Sequence, residues 1–321
     1  MEREKTGDAS VAFPSAAAAD RLIAGVPAAA RAVRGLAEDG ASTIILRIGD
    51  GAALAAPTRA EIERLGEGAA VRIEAGPGPA IALPTSWEIV SATGKPGDGL
   101  VSRWLNRPIS QRITLLVLAV PGIRPIQVTV FNALLAVPMF LLLLFGGHAG
   151  LLAGAILFHA ASVIDGVDGE MARATWRTSA DGASLDSLID MSINFLFVLG
   201  LTIHLAVRDH DAIGWIGAWA IVAMIVGNVL IGRRVRAQGA PLGFDLFKRR
   251  NARIGGIVDL IYWVVQVISS RDFFALLFML LTLFGLERVA LSIFAGVAVI
   301  WFFYVLIASL LATPRSYRGA A

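Results

Sequence analysis

Long apolar runs separated by short polar segments fill residues 124–313, whereas residues 1–95 alternate short apolar and polar stretches. A helix needs about 20 mainly apolar residues to cross a bilayer. The pattern predicts six membrane-spanning helices, at Val128–Gly146, Gly150–Asp165, Ser184–Ala206, Ile213–Ile231, Phe273–Leu286 and Val289–Leu311. The second and fifth runs are short, so we expect flanking residues to complete them. A further apolar run, Ile254–Ile268, is ambiguous because it is also short and carries Asp259 and Gln266.

Basic residues concentrate in alternate connections between these runs. The group before the first span is Arg103, Arg107, Arg112 and Arg124, and the group between the second and third spans is Arg173 and Arg177. The group after the fourth span is Arg233, Arg234, Arg236, Lys248, Arg249, Arg250 and Arg253. The group after the last span is Arg315 and Arg318. With six spans, every such group lies on the cytoplasmic side of the inner membrane, together with both termini. A seventh span would place the last arginines outside. We therefore interpret Ile254–Ile268 as an interfacial or partly buried helix, and residues 314–321 as a cytoplasmic tail.

Residues 1–95 are predicted to form a small soluble α/β domain. Strand-like runs punctuated by turn residues occur at Ser42–Ile48, Ala70–Ile73 and Ala80–Leu83. Thr58 and Glu61 have the spacing of a capping box and predict the start of a short helix. Gly49 and Gly51 are interpreted as a turn, because no fuller nucleotide-binding fingerprint surrounds them.

Residues 96–123 are predicted to be a linker followed by an amphipathic helix at the membrane interface. Trp104, Ile109 and Leu116 alternate there with basic residues, which is typical of helices that lie in the headgroup region. A soluble surface helix is the alternative. The fold class that follows is an all-α polytopic membrane protein with six transmembrane helices and a small N-terminal soluble α/β domain. The absence of cysteine excludes disulfides and thiolate metal sites.

Four aspartates recur at fixed gaps where the second and third predicted spans meet. Asp165 and Asp168 are three residues apart and Asp186 and Asp190 are four apart, so each pair shares a helix face. A short polar turn between the helices would make them antiparallel, with the carboxylates facing one another. Carboxylates at membrane helices are costly and usually functional. A pair of divalent ions that prefer oxygen ligands, such as Mg²⁺, Mn²⁺ or Ca²⁺, would neutralise them; of these we expect Mg²⁺ or Mn²⁺.

These positions resemble the signature of the CDP-alcohol phosphotransferase family, D-x2-D-G-x2-A-R-x8-G-x3-D-x3-D. Every fixed position is matched, by Asp165, Asp168, Gly169, Ala172, Arg173, Gly182, Asp186 and Asp190. The resemblance implies that a phospho-alcohol group, of phosphatidyl or inositol-phosphate type, passes from a CDP-alcohol to an acceptor hydroxyl and that CMP leaves. It implies that all four aspartates hold two metal ions and that Asp190 also acts as the catalytic base. Gly169, Ala172, Arg173 and Gly182 would line the cytidine and diphosphate pocket.

The resemblance covers roughly residues 97–311 and implies further properties. The donor would be CDP-diacylglycerol or CDP-inositol, the acceptor a small or phosphorylated alcohol, and the assembly a homodimer in contact with membrane lipid; no nucleic-acid partner is expected. Many family members have Pro-Asn-x-Val-Thr at the first span, where this chain has Pro125-Ile-Gln-Val-Thr129. The run Asp98–Ser110 is similar to the junction in members fused to an N-terminal nucleotidyltransferase-like domain. We expect residues 1–95 to be a degenerate version of that domain and dispensable for transfer.

Two other functions remain open at this point. The aspartates could form the ion path of a divalent-cation transporter, although all four lie at one end of the spans. A membrane CDP-alcohol diphosphatase would use the same metals with water as the nucleophile. Release of CMP that depends on an alcohol acceptor would distinguish transfer from both.

The charge distribution makes a testable prediction about topology. Because the chain has no native cysteine, single cysteines can report which side of the membrane each connection occupies. His148→Cys and Asp209→Cys should react with an impermeant thiol reagent in intact cells, and Arg315→Cys only after permeabilisation, with the parent chain as the unlabelled control. Labelling of Arg315→Cys in intact cells would show that Ile254–Ile268 crosses the membrane.

Overall fold

The computed structural model describes residues 7–95, 98–237 and 271–311. They fall into two compact units. The first comprises Met1–Gly97, Arg107–Val128 and Gly166–Ala183, and the second comprises Asp98–Asn106, Thr129–Asp165 and Ser184–Ala321. The run Ile254–Ile268 and the basic residues near it lie outside the described residues, as do the C-terminal arginines.

The N-terminal part of the first unit is an α/β domain, as predicted. Its elements are β1 (Asp8–Phe13), α1 (Ala16–Asp20), β2 (Leu22–Ile23), β3 (Val26–Pro27), α2 (Ala28–Glu38), β4 (Thr43–Ile48), α3 (Ala56–Leu65), β5 (Ala70–Ala75) and α4 (Ser86–Ser91). Strands β1, β4 and β5 form a parallel sheet in that order, with Asp8 opposite Thr43 and Thr43 opposite Ala70. Because β4 is central, its Ile44, Leu46 and Ile48 are fully buried and form the centre of this domain's core.

Two local sequence predictions in this domain are wrong. Ala80–Leu83 is not a strand, and its one sheet contact is an isolated bridge between Ala80 and Ala12. Prolines border this run, and proline cannot donate to a ladder. Helix α3 begins at Ala56 with Pro57 in its first turn, so Thr58 lies inside the helix and caps nothing. The capping box belongs instead to Thr85 and Glu88 at the start of α4.

The predicted amphipathic helix is α5 (Arg107–Leu118), which follows a π-helical turn at Ser102–Asn106. Its polarity is the reverse of a helix on a soluble protein. Ser110 and Thr114 are fully buried, whereas Ile109 is 41% and Leu116 is 73% exposed. An outward apolar face is what lipid contact requires, and this favours the interfacial location over the soluble alternative.

The buried polar face of α5 contacts a charged residue that the sequence analysis did not single out. Glu170 is fully buried and accepts from Arg107 Nη1 at 2.8 Å and from Ser110 Oγ and Thr114 Oγ1, both at 2.6 Å. One turn earlier, Gly166 lets the two helices approach, since a Cβ there would lie 3.0 Å from Ser110 Oγ. A buried carboxylate needs such partners to remain ionised.

The remaining described elements are long helices. They are α6 (Pro125–Phe145), α7 (Gly147–Ala174), α8 (Ala180–Ile203, continued as a π-helical turn to Arg208), α9 (Ala212–Ala237), α10 (Arg271–Leu283) and α11 (Glu287–Leu311). Within the described residues, α6, α7, α8 with its extension and α9 are long and apolar enough to cross a membrane, and α10 is a shorter apolar helix. The chain is therefore a multi-pass membrane protein, while the number of six spans stays a prediction.

Aromatic packing fixes the helices of the second unit around α8. Phe158 of α7 stacks on Phe197 of α8 with ring centroids 4.0 Å apart, and Phe197 lies 6.1 Å from Phe278 of α10. Phe197 is fully buried. Gly200 of α8 permits a close approach to α6, because a Cβ there would lie 2.9 Å from the Leu143 side chain. These contacts hold α7 and α8 side by side.

The buried ion pair makes a prediction about stability. Arg107→Met removes the counter-charge of Glu170 and leaves a carboxylate buried with hydroxyl partners alone. We expect the free energy of unfolding to fall by about 3–5 kcal/mol, measured as a lower thermal unfolding midpoint of the purified protein in detergent. Arg112→Met is the matched control, because Arg112 is exposed on the same helix. Equal midpoints for the two variants would contradict the assigned ion pair.

Candidate active site

Helices α7 and α8 present the predicted site residues on either side of a five-residue turn, Thr175–Ser179. Helix α7 continues nine residues beyond the predicted span and contains the first half of the signature. Helix α8 starts where Ser179 Oγ accepts from the Gly182 amide at 3.0 Å, which satisfies one of the free N–H groups of its first turn. The antiparallel helix pair with a short polar turn was predicted from the sequence.

Three of the predicted metal ligands converge in the second unit. Asp165 of α7 and Asp186 and Asp190 of α8 each offer one carboxylate oxygen, and these oxygens lie within 4.8 Å of one another. All three residues are partly buried. Carboxylates this close repel one another unless a cation neutralises them. A set of hard oxygen donors at this spacing suits Mg²⁺ or Mn²⁺, so the residues present fit the predicted metal. We call Asp165, Asp186 and Asp190 the carboxylate cluster.

Asp168, the fourth predicted ligand, belongs to the first unit. It lies on α7 three residues after Asp165, and it is 5% exposed, which makes it the most buried of the four aspartates. Its place on the same helix as Asp165 follows from the sequence spacing. Its predicted role as a metal ligand stays a prediction.

Gly169 and Arg173 form one structural feature. The Arg173 side chain folds back along α7 over Gly169, so that a Cβ at position 169 would lie 3.1 Å from Nη1 of Arg173. The guanidinium is fixed from the other side, since its Nε donates to the Thr93 carbonyl at 2.7 Å. Gly169 therefore leaves space for the Arg173 side chain. The Thr93 carbonyl orients the Arg173 guanidinium, a group suited to binding phosphate.

Gly182 and Ala172 are the remaining predicted pocket residues, and their surroundings are described by packing and exposure. A Cβ on Gly182 would lie 2.9 Å from Ser179 Oγ, so the glycine makes room for the cap of α8. Gly182 is exposed, and Ala172 is half-buried on α7. The predicted contact of either residue with a nucleotide stays a prediction.

Residues of the α/β domain contact the turn between α7 and α8, which sequence reasoning missed. Arg31 Nη2 donates to the Ala174 carbonyl at 2.8 Å. Arg64 donates to the carbonyls of Thr175 at 2.9 Å and Trp176 at 3.0 Å. Burial lowers the pKa of Arg31 to about 10, so this guanidinium is still protonated at neutral pH. The available signal was the charged Arg31 within an alanine-rich apolar segment.

A second polar group within the membrane helices was also missed. Ser162, one turn before Asp165 on α7, donates to Asp272 Oδ1 of α10 at 2.8 Å. Asn106 Nδ2 donates to Ser162 Oγ at 3.4 Å. Asp272 lies in the first turn of α10, where a negative charge is favoured by the helix dipole. This placement gives the aspartate a structural explanation.

Comparisons with known proteins agree with the signature. Residues 123–243 match the family described as CDP-alcohol phosphatidyltransferase. The bifunctional IPC transferase and DIPP synthase of Aquifex aeolicus is 30% identical over 201 residues, covering 62% of this chain and 44% of that protein. The protein of the same name from Thermococcus kodakarensis is 30% identical over 210 residues, with the same two coverages. That of Rubrobacter xylanophilus is 35% identical over 124 residues, or 37% of this chain and 26% of the relative.

This chain spans less than half the length of these relatives, since 44% of the first is covered. The family match contains the whole signature from Asp165 to Asp190. The resemblance found in the sequence is therefore confirmed. Residues 123–243 of this chain match the CDP-alcohol phosphatidyltransferase family, as the signature predicted.

Proposed function

We propose that this protein is a metal-dependent CDP-alcohol phosphotransferase, which moves a phosphatidyl or inositol-phosphate type group to an acceptor hydroxyl and releases CMP. The observation that supports this most is the carboxylate cluster, with its oxygens within 4.8 Å of one another on a fully matched signature. The relatives' names describe a transferase and a synthase, which favours transfer over transport or hydrolysis. The product would be a phospholipid or another phosphodiester.

The chemical roles follow from the position of each side chain. Asp165, Asp186 and Asp190, with Asp168 as a fourth ligand, would hold two divalent ions. Such ions, when bound, stabilise the charge of a diphosphate undergoing displacement. Arg173, with its plane set by the Thr93 carbonyl, would bind the diphosphate of the donor. Asp190 would accept the proton of the acceptor hydroxyl as that oxygen attacks phosphorus.

The surroundings of the site suit a donor that has both a nucleotide and an apolar part. The signature lies at the end of a membrane-spanning helix and at the start of the next. We propose a CDP-alcohol donor, CDP-diacylglycerol or CDP-inositol, and a small or phosphorylated alcohol as acceptor. The proposed topology has six spans, with both termini and the active site on the cytoplasmic side, and the proposed assembly is a homodimer.

The function and its metal can be tested in one assay. Purified protein in lipid nanodiscs is given CDP-diacylglycerol or CDP-inositol with inositol, inositol phosphate, glycerol phosphate or serine, and CMP is measured. CMP should appear only when both an acceptor and Mg²⁺ or Mn²⁺ are present, because the cluster needs cations to bind a diphosphate. CMP release without any acceptor would identify a diphosphatase. Full activity in excess chelator would contradict the metal site.

Substitution of single aspartates separates the proposed ligands from the proposed base. Asp168→Asn should lose metal binding and turnover together. Asp190→Asn should lower kcat by about 10² or more, the contribution of a general base, and still bind the CDP-alcohol in calorimetric titration. The exposed Asp181→Asn on the same helix is the control and should keep full turnover. If Asp190→Asn loses donor binding as completely as Asp168→Asn, Asp190 is a metal ligand only and not the base.

A further inference from the structure

The turn between α7 and α8 has a backbone conformation that is unfavourable for the residue that adopts it. The Arg177 amide donates to the Ala172 carbonyl at 2.8 Å, the backbone pattern of a Schellman cap. The residue at the left-handed position of that cap is Trp176, with φ +52. Glycine is the usual residue there because a Cβ is disfavoured. A tryptophan persists at such a position when its surroundings hold it.

Those surroundings are the α/β domain. The Trp176 ring packs against the core of that domain, with the Arg31 guanidinium 4.9 Å and the Arg34 guanidinium 5.8 Å from the ring centre. Arg177, the next residue, forms an ion pair with Glu61 of α3. Both side chains after the end of α7 are therefore held by the same domain.

The carbonyl groups at the end of α7 have partners in the domain as well. The last carbonyls of a helix have no N–H donor within the helix, and they carry the negative end of its dipole. Here the carbonyls of Ala174, Thr175 and Trp176 accept from the Arg31 and Arg64 guanidinium groups at 2.8–3.0 Å. Arg31 is itself fixed, because it also donates to Ile23 at 2.6 Å and to Ala24 at 2.9 Å.

The contacts within the α/β domain favour a structural role over nucleotide binding. Nucleotide-binding α/β domains commonly bind phosphate at the turn between the first strand and the first helix. At that turn in this domain, the Ala16 amide donates to the Asp50 carboxylate at 3.2 Å. A carboxylate at this place repels a phosphate. The contacts of the domain with the signature region include those described for the turn and the hydrogen bond from Arg173 Nε to the Thr93 carbonyl.

We propose that the α/β domain acts as a clamp on the α7–α8 turn, in which Arg31 and Arg64 are positioning residues for the proposed transfer reaction. The clamp fixes the last two turns of α7, which carry Asp168 and Arg173, and through the chain it fixes where α8 begins. This inference rests on the proposed function. It reverses the expectation from sequence that residues 1–95 are dispensable for transfer.

The test compares two arginines of the same helix. Arg64→Ala removes two carbonyl contacts from a side chain that is 31% exposed, so the domain should still fold. Arg59→Ala, on the same helix and exposed, is the control. At a temperature well below the unfolding midpoint of every variant, Arg64→Ala should lower kcat by about 10-fold, as small displacements at an active site do. Arg64→Lys, which retains a donor, should recover part of this loss.

A second readout does not depend on activity. Hydrogen exchange of the amides in residues 174–179 should be faster in Arg64→Ala than in Arg59→Ala. Trp176→Gly relieves the backbone strain but removes the anchoring ring, so it should also lose turnover if the clamp is required. Unchanged kcat and exchange in Arg64→Ala would overturn the clamp, as would a loss of activity that disappears on cooling. If the parent protein releases no CMP from any donor, the proposed function is wrong, and the exchange comparison still decides whether the domain holds the turn.

Discussion

Electrostatic repulsion among the clustered carboxylates is the constraint that the packing of helices α7 and α8 must satisfy. Three of them are held with oxygens within 4.8 Å of one another at partly buried positions on two apolar helices, where their charges are screened less than in bulk water. Helices on which such groups converge would separate unless other contacts kept them together. The stack of Phe158 on Phe197 supplies apolar contact between the same two helices. Carboxylates at this spacing are suited to sharing a divalent cation.

A second unfavourable feature lies at the end of α7. The last helix carbonyls need donors there, and Trp176 has a left-handed backbone conformation. Arginines from the α/β domain bind those carbonyls and cover the tryptophan ring. Positive charge at a helix C-terminus is favourable, and guanidinium groups reach two acceptors at once. A domain that has no nucleotide fingerprint therefore has a physical reason to remain attached to this membrane protein.

The third feature is the reversed polarity of α5. Ser110, Thr114 and Arg107 face Glu170. The apolar side chains of Ile109 and Leu116 are exposed on the same helix. In water this arrangement would be unfavourable, whereas at a bilayer surface the apolar face is solvated by lipid. The same helix thus joins the signature helix through polar contacts and presents an apolar surface that suits the membrane. Glu170 occupies a variable position of the signature, which shows that such a position can carry a structural charge.

The sequence by itself determined the class of protein, the helices that carry the predicted site, and the resemblance to the CDP-alcohol phosphotransferase family, because apolar run length and fixed residue gaps depend on local chain geometry. Asp186 and Asp190 share a face for that reason, and β4 and β5 were recognisable as strands. Tertiary structure alone decided that Asp168 is almost fully buried, that Gly169 accommodates Arg173, and that Arg31 and Arg64 bind the turn. These contacts join residues more than a hundred positions apart in some cases, and no spacing or periodicity records which distant side chains will meet.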